Sequence, residues 1–216
     1  MKNDWLWDRK LHIHTRGDDR SKEDRDRYAY EPTPYGVLLK LVDSGWVRRE
    51  DVLMDYGCGK GRVGLFMHHQ TGCGSIGIDF NGDMIRKAEK NLENMNGGKN
   101  DSFRRDIPQN ADFSYDFPGS PAFLWADAAR YEVPDAVTRF YFFNPFSVRI
   151  LEIVIGKVLD SWYRKPRHIL LFFYYPSADY VSFLMRTDML SFVDELDCQD
   201  LFPDDPREKI LCFELI

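Results

Sequence analysis

The segment Asp55-Tyr56-Gly57-Cys58-Gly59-Lys60-Gly61-Arg62 holds the densest set of residues able to do chemistry. A β-rich run at 51–56 feeds it, and a run with helical periodicity leaves it. Glycines in such a loop adopt backbone conformations closed to other residues and let a ligand approach the main chain. The helix beyond presents free N–H groups. Asp79 closes the next β-rich run, 18 residues after Gly61. An acid there is placed to accept hydrogen bonds from both hydroxyls of a ribose. An ordinary strand-to-helix turn needs one glycine, whereas this loop has three in a fixed pattern.

Two ligands compete for such a loop. Gly59-Lys60-Gly61-Arg62-Val63-Gly64 formally matches the G-x-G-x-x-G fingerprint of dinucleotide binding. Its first glycine should directly follow the strand, however, and Gly57 holds that position. In the frame that includes Asp55, an acid would sit beside the ligand's backbone-bound end. That acid suits an ammonium group and disfavours a pyrophosphate. S-adenosylmethionine has an ammonium, a ribose and no phosphate, so the charge argument favours it over NAD. Lys60 reads as a solvated loop residue, because no G-x-x-x-x-G-K-[ST] pattern accompanies it.

At this point the chain resembles the class I S-adenosylmethionine-dependent methyltransferases. Asp55-Tyr56-Gly57-Cys58-Gly59-Lys60-Gly61 looks like their first motif and Gly77-Ile78-Asp79-Phe80 like their second. The resemblance implies that Asp55, Tyr56, Gly57, Gly59 and Gly61 hold the methionine part. It implies that Asp79 takes the ribose and that Phe80 lies against the purine. Trp125-Ala126-Asp127-Ala128 is similar to the segment whose acid contacts the adenine amino group, which adds Asp127 and Ala128. In Dot1-like lysine methyltransferases a Pro-Thr segment upstream lies over the cofactor. Pro32-Thr33-Pro34 looks like a short version, and this adds Thr33.

Phe142-Phe143-Asn144-Pro145-Phe146 ends another β-rich run, at the edge where open α/β sheets bind ligands. Methyl transfer needs a nucleophile lone pair aligned with the methyl group, and positioning supplies much of the acceleration. Asn144 and a carbonyl before or at Pro145 are suited to holding the N–H bonds of an amine. Phe146 is suited to stacking on a flat acceptor or facing a cation. The stretch is similar to the Asn-Pro-Pro-aromatic motif of amino-group methyltransferases, but it has one proline. A plain strand-ending turn, with Ser147 capping the next helix, accounts for the same residues equally well. Tyr28, Tyr30, Tyr35, Tyr174 and Tyr175 suggest an aromatic-lined mouth, although most Phe and Tyr of this chain read as core.

The elements that must position these groups follow from periodicity. Strands are predicted at 51–56, 75–80, 122–126, 139–143 and 168–174, with helices at 35–44, 61–70, 83–94 and 148–162. A helix at 178–186 and strands at 190–195 and 209–215 complete the chain. Alternation of strand and helix demands a parallel sheet covered on both faces. The expected fold is a Rossmann-like three-layer α/β/α sandwich whose seven-stranded, mostly parallel sheet ends in a C-terminal antiparallel edge hairpin. The expected division is a charged arm at 1–29 and a methyltransferase domain at 30–216, with an insertion at 97–121. Within the arm, residues 16–27 contain ten charged side chains of mixed sign and read as a solvated arm or exposed helix.

With 216 residues, 29 Lys+Arg against 35 Asp+Glu and a net charge of −6, the composition is that of a globular domain. It argues against bulk nucleic acid and anionic membrane as partners. No apolar run reaches the length of a membrane helix, and the N-terminus lacks a signal-peptide pattern. Four scattered cysteines read as reduced thiols of a cytoplasmic protein. His12, His14, His68 and His69 lack partners at metal-ligand spacing, so no metal site is expected. The sequence therefore implies methyl transfer from S-adenosylmethionine to an unidentified acceptor, a nitrogen of a protein side chain or small molecule. An NAD-dependent oxidoreductase and a non-catalytic S-adenosylmethionine-binding module are the alternatives.

Overall fold

The computed structural model describes residues 4–97 and 119–216. The core begins at β1 (Val52–Tyr56), whose five residues are all buried. It is flanked in the sheet by β2 (Gly74–Asp79) and β4 (Arg139–Phe142), both parallel to it. β3 (Pro121–Trp125) lies parallel outside β2, and β5 (Leu170–Tyr174) parallel outside β4. β7 (Lys209–Leu215) pairs antiparallel with β5, and β6 (Leu190–Asp197) closes that edge. The order is β3-β2-β1-β4-β5-β7-β6. The predicted mostly parallel sheet with an antiparallel hairpin at one edge is present. Order reverses between β1 and β4, and this switch point is where such sheets bind ligands.

Helices cover both faces because alternate residues of the central strands are apolar on both sides. On one face α1 (Asp4–Leu11), α2 (Tyr35–Asp43), α3 (Arg62–Thr71) and α4 (Gly82–Met95) pack on Leu53, Tyr141, Phe172 and Tyr174. On the other, α5 (Val148–Arg164) and α6 (Ala178–Leu184) pack on Met54, Phe140, Leu171 and Phe173. Across that second face the rings of Tyr56, Phe142 and Phe173 stack from strand to strand. Their centroids are 5.1 and 4.7 Å apart, with planes within 6° and 7°.

Two local expectations change. Residues 4–15, inside the segment read as an arm, pack into the core. Trp7 sits edge-on to Phe66, and Leu11 and Ile13 are buried. Ser147 begins α5 in extended conformation but makes no side-chain cap. Its hydroxyl instead donates to Asp26 Oδ1 at 2.8 Å, because the chain from 16 to 33 crosses the carboxyl edge of the sheet just above it. The predicted insertion lies almost wholly outside the described residues. Among the described residues no helix is long and apolar enough to cross a membrane.

Candidate functional site

β1 delivers Asp55 and Tyr56 to the switch point, and the loop then turns back through Gly57, Gly59 and Gly61, all with positive φ. At all three close approach as well as φ requires glycine, Gly61 because a Cβ would lie 2.6 Å from the Phe123 ring. A Cβ on Gly57 would lie 2.5 Å from Pro145 Cβ, and one on Gly59 would lie 2.0 Å from the ring of Tyr30. The Gly57 and Cys58 amides donate to the Ile78 carbonyl, which ties the loop to β2. Asp79, at the end of β2, receives the Gly59 amide on Oδ2 at 2.9 Å and the Asn81 amide on Oδ1 at 2.8 Å. One carboxylate thus fixes both the glycine loop and the start of α4, and it keeps a further lone pair on each oxygen.

Electrostatically, no cation among the described residues offsets the burial of Asp55 in the loop. Asp55 is buried, and its Oδ2 has no hydrogen-bond partner. Desolvation, with the Asp79 charge adding to it, pushes its carboxyl up to about 8. Asp79 is also raised by burial, and its two amide donors oppose the shift. A buried acid of this kind is satisfied by a cation or an N–H donor brought by a ligand.

The cleft above the loop, as roofed here, has about 70 Å³ of accessible space. Of the residues singled out in the sequence, Thr33, Asp55, Tyr56, Gly57, Asp79, Phe80, Asp127, Ala128, Pro145 and Phe146 line it. Gly59 lies beneath Tyr30, and Gly61 starts α3 against Phe123. Asn144 is outside the lining. With φ of +40° it donates from Nδ2 to the Tyr175 carbonyl and accepts the Ser177 amide on Oδ1 at 3.2 Å. Both ends of its amide therefore brace the β4 and β5 loops against each other. The Pro145 carbonyl receives the Tyr28 amide at 3.2 Å. Among the tyrosines expected at the mouth, Tyr28 and Tyr30 line the cleft, whereas Tyr35 is core and donates to Asp8 at 2.7 Å.

Several residues of the site carry no advance signal in the sequence. Arg62, only 2% exposed, turns back from the first position of α3 and donates to Thr15 Oγ1, Asp4 Oδ2 and the Thr33 carbonyl. It thereby holds the Pro-Thr segment over the loop. Tyr141 places its hydroxyl 3.2 Å from Thr33 Oγ1 inside the cleft. Lys60, read as solvated, is buried and donates to the Arg16 and Gly17 carbonyls at 2.6 and 2.7 Å. The correction has a simple cause: the loop is roofed by the crossing chain, whose unpaired carbonyls need a donor. Arg27, from the charged run, reaches Asp127 and Phe80. Each of these contacts joins residues at least 12 positions apart, so local pattern does not announce them. Among the described residues no group of three or more His, Cys, Asp or Glu is arranged to hold a metal ion.

Comparison with known proteins agrees with this geometry. Residues 48–111 match the model of a family described as a methyltransferase domain. That stretch holds β1, the glycine loop, α3, β2 and α4. Over 65 residues it is 31% identical to a protein-lysine N-methyltransferase of Saccharolobus islandicus (strain REY15A), a stretch covering 30% of this chain and 40% of that protein. Among solved structures it is similar to an RNA methyltransferase from Salinibacter ruber in complex with S-adenosyl-L-homocysteine. That pair has a TM-score of 0.51 and 15% identity, covering 86% of this chain and 94% of the other. It is also similar to a putative rRNA-methylase from Clostridium thermocellum, with a TM-score of 0.55 and 16% identity, covering 83% and 96%. At these identities the structural likeness is one of fold.

Proposed function

We propose that this chain transfers a methyl group from S-adenosylmethionine to a nitrogen of a protein side chain or small molecule. The observation that carries the reading is the buried, unpartnered Asp55 Oδ2 beside Asp79 in a three-glycine loop. Those residues fit the cofactor: Asp55 would hold its ammonium, Asp79 its ribose, and Phe80 with Asp127 its purine, while Thr33 and Tyr141 would close over the methionine end. Among the described residues the cleft is lined by six acids (Asp19, Glu23, Glu31, Asp55, Asp79, Asp127) and three bases (Lys22, Arg27, Arg62). That balance favours cationic ligands, an amine acceptor included, over nucleic acid.

When bound, the cofactor supplies an electrophilic methyl carbon on a sulfonium. The protein's share is positioning and exclusion of water. The segment from 16 to 33 roofs the cleft, and Pro145 packed on Gly57 sets the distance between the loop and the end of β4. Phe146, buried against Tyr56 and Phe142, presents an aromatic wall to the acceptor. With the cofactor held there, the amine would take the methyl carbon as the methyl–sulfur bond breaks, its electron pair staying on the sulfur, and would release a proton to solvent. We place the catalytic domain at 30–216, with the segment 1–29 packed onto it through residues 4–15, and we place the protein in the cytoplasm on account of its free, buried cysteines.

The test is calorimetric titration with S-adenosylmethionine, S-adenosylhomocysteine and NADH. Micromolar binding of the first two alone is expected, with Asp79→Ala weakening both by about tenfold or more. Undiminished binding by Asp79→Ala, or binding of NADH in their place, overturns the reading. One observation favours a second reading, a cofactor-binding module without turnover: the Asn144 amide, the side chain best suited to hold an acceptor, is engaged at both ends. Transfer of labelled methyl to any amine acceptor would decide against that alternative.

A further inference from the structure

We propose that Arg27 is a surrogate for the cofactor's purine, so that the arm and the purine compete for one place and the arm lifts there for the cofactor to pass. The inference rests on the reading of Phe80 and Asp127 as the purine site. The Arg27 guanidinium lies over the Phe80 ring at 5.1 Å from its centroid, and Nη2 donates to Asp127 Oδ2 at 3.2 Å. A guanidinium and an adenine share the features these two residues read. Each is flat, offers a face to an aromatic ring and carries N–H donors in its plane. One carboxylate oxygen and one ring face do not serve both groups at once.

The arm is held unequally on the two sides of Arg27. Toward Gly17 the buried Lys60 ammonium grips two main-chain carbonyls, and toward Thr33 the buried Arg62 grips a third. Between them the contacts are shallow. Arg27 and Asp127 are 30% and 35% exposed, so their ion pair is weak and screened by salt. Main-chain bonds from Tyr28 to Pro145 and from Ser147 to Asp26 reinforce it, as do the Ser147 hydroxyl and the exposed Arg149 on the Asp26 carboxylate and Asp24 on Arg27 itself. The arm is thus pinned by buried groups at its ends and latched in the middle, over the purine contacts, by main-chain bonds and partly exposed side chains.

The full chain and its Arg27→Ala variant are titrated with 5′-methylthioadenosine, which carries the purine and ribose but no amino-acid end. Amide hydrogen exchange of both proteins is recorded without any nucleoside. The variant is expected to bind the nucleoside about three- to tenfold more tightly, since its competitor is gone. The Tyr28 and Ser147 amides are expected to exchange faster. Weaker nucleoside binding by Arg27→Ala overturns the proposal, because the arginine would then clasp the purine instead of displacing it. Unchanged affinity together with unchanged exchange overturns it as well. If neither protein binds any purine nucleoside, the purine-site reading itself fails, a result distinct from binding by the wild type that the substitution does not improve.

Discussion

Asp55 shows how one side chain links the stability of this protein to its ligand. A carboxyl whose folded pKa stands at about 8 holds a proton that the unfolded chain releases near pH 4. Its contribution to stability is therefore fully present below about pH 4 and is lost as pH rises toward 8. His69, lowered by burial, acts in the opposite sense near neutrality, so the informative quantity is a difference between variants. Between pH 5.5 and 8 (roughly the window set by these groups) the wild-type thermal midpoint should fall several degrees more than that of Asp55→Asn. Parallel curves for the two proteins would show that Asp55 is not buried uncharged. S-adenosylmethionine should also erase the difference, because its ammonium stabilises the carboxylate. The identity of Asp55 and its place before the glycines are visible in the sequence; its lack of a partner emerges only when β2 and β4 close around it.

At the level of elements, the glycine loop and the crossing chain depend on each other. Gly59→Ala places a methyl group into the Tyr30 ring and a side chain at φ of +52°. It should cost about 1–3 kcal/mol in urea unfolding and speed proteolysis within residues 16–30. Arg62→Leu should be more severe, about 3–5 kcal/mol, because Asp4 and Asp8 lose their buried counter-charge. Its distinguishing sign is release of α1, read as early cleavage before Tyr28 while the sheet stays protected. If α1 stays protected in that variant, Arg62 does not tether it. Periodicity predicted α2 to α6 and all seven strands to within a few residues, because each carries an apolar stripe of its own. It missed α1, whose eight residues hold Trp5, Leu6, Trp7 and Leu11 among charges and show no clear period. The helix is stabilised by Trp7 against Phe66 and by Asp8 receiving Tyr35 and Thr15, which are partners outside its own sequence.

For the molecule as a whole, the central parallel strands carry the site at their carboxyl ends, and the aromatic stack of Tyr56, Phe142 and Phe173 makes them one rigid unit. Phe142→Ala should cost about 3–5 kcal/mol by loss of transfer energy and by the cavity left behind, with an unchanged denaturant slope. A loss below about 1 kcal/mol would mean that the neighbouring rings collapse into the gap.

Strand-helix alternation, the glycines at 57, 59 and 61 and the acid at 79 are local in the chain. Their meaning depends on backbone freedom, side-chain period and spacing, all of which a linear text records. The sequence therefore determined the sheet, its edge hairpin and the cofactor loop by itself. The tertiary structure decided the rest: that a charged run roofs the cleft, that Lys60 and Arg62 are buried anchors, that Asn144 braces two loops, and that Arg27 sits on Phe80. Each of these is a polar group whose partner lies far away in sequence. A polar side chain reads as solvated until the fold shows which carbonyl or carboxylate has been buried beside it.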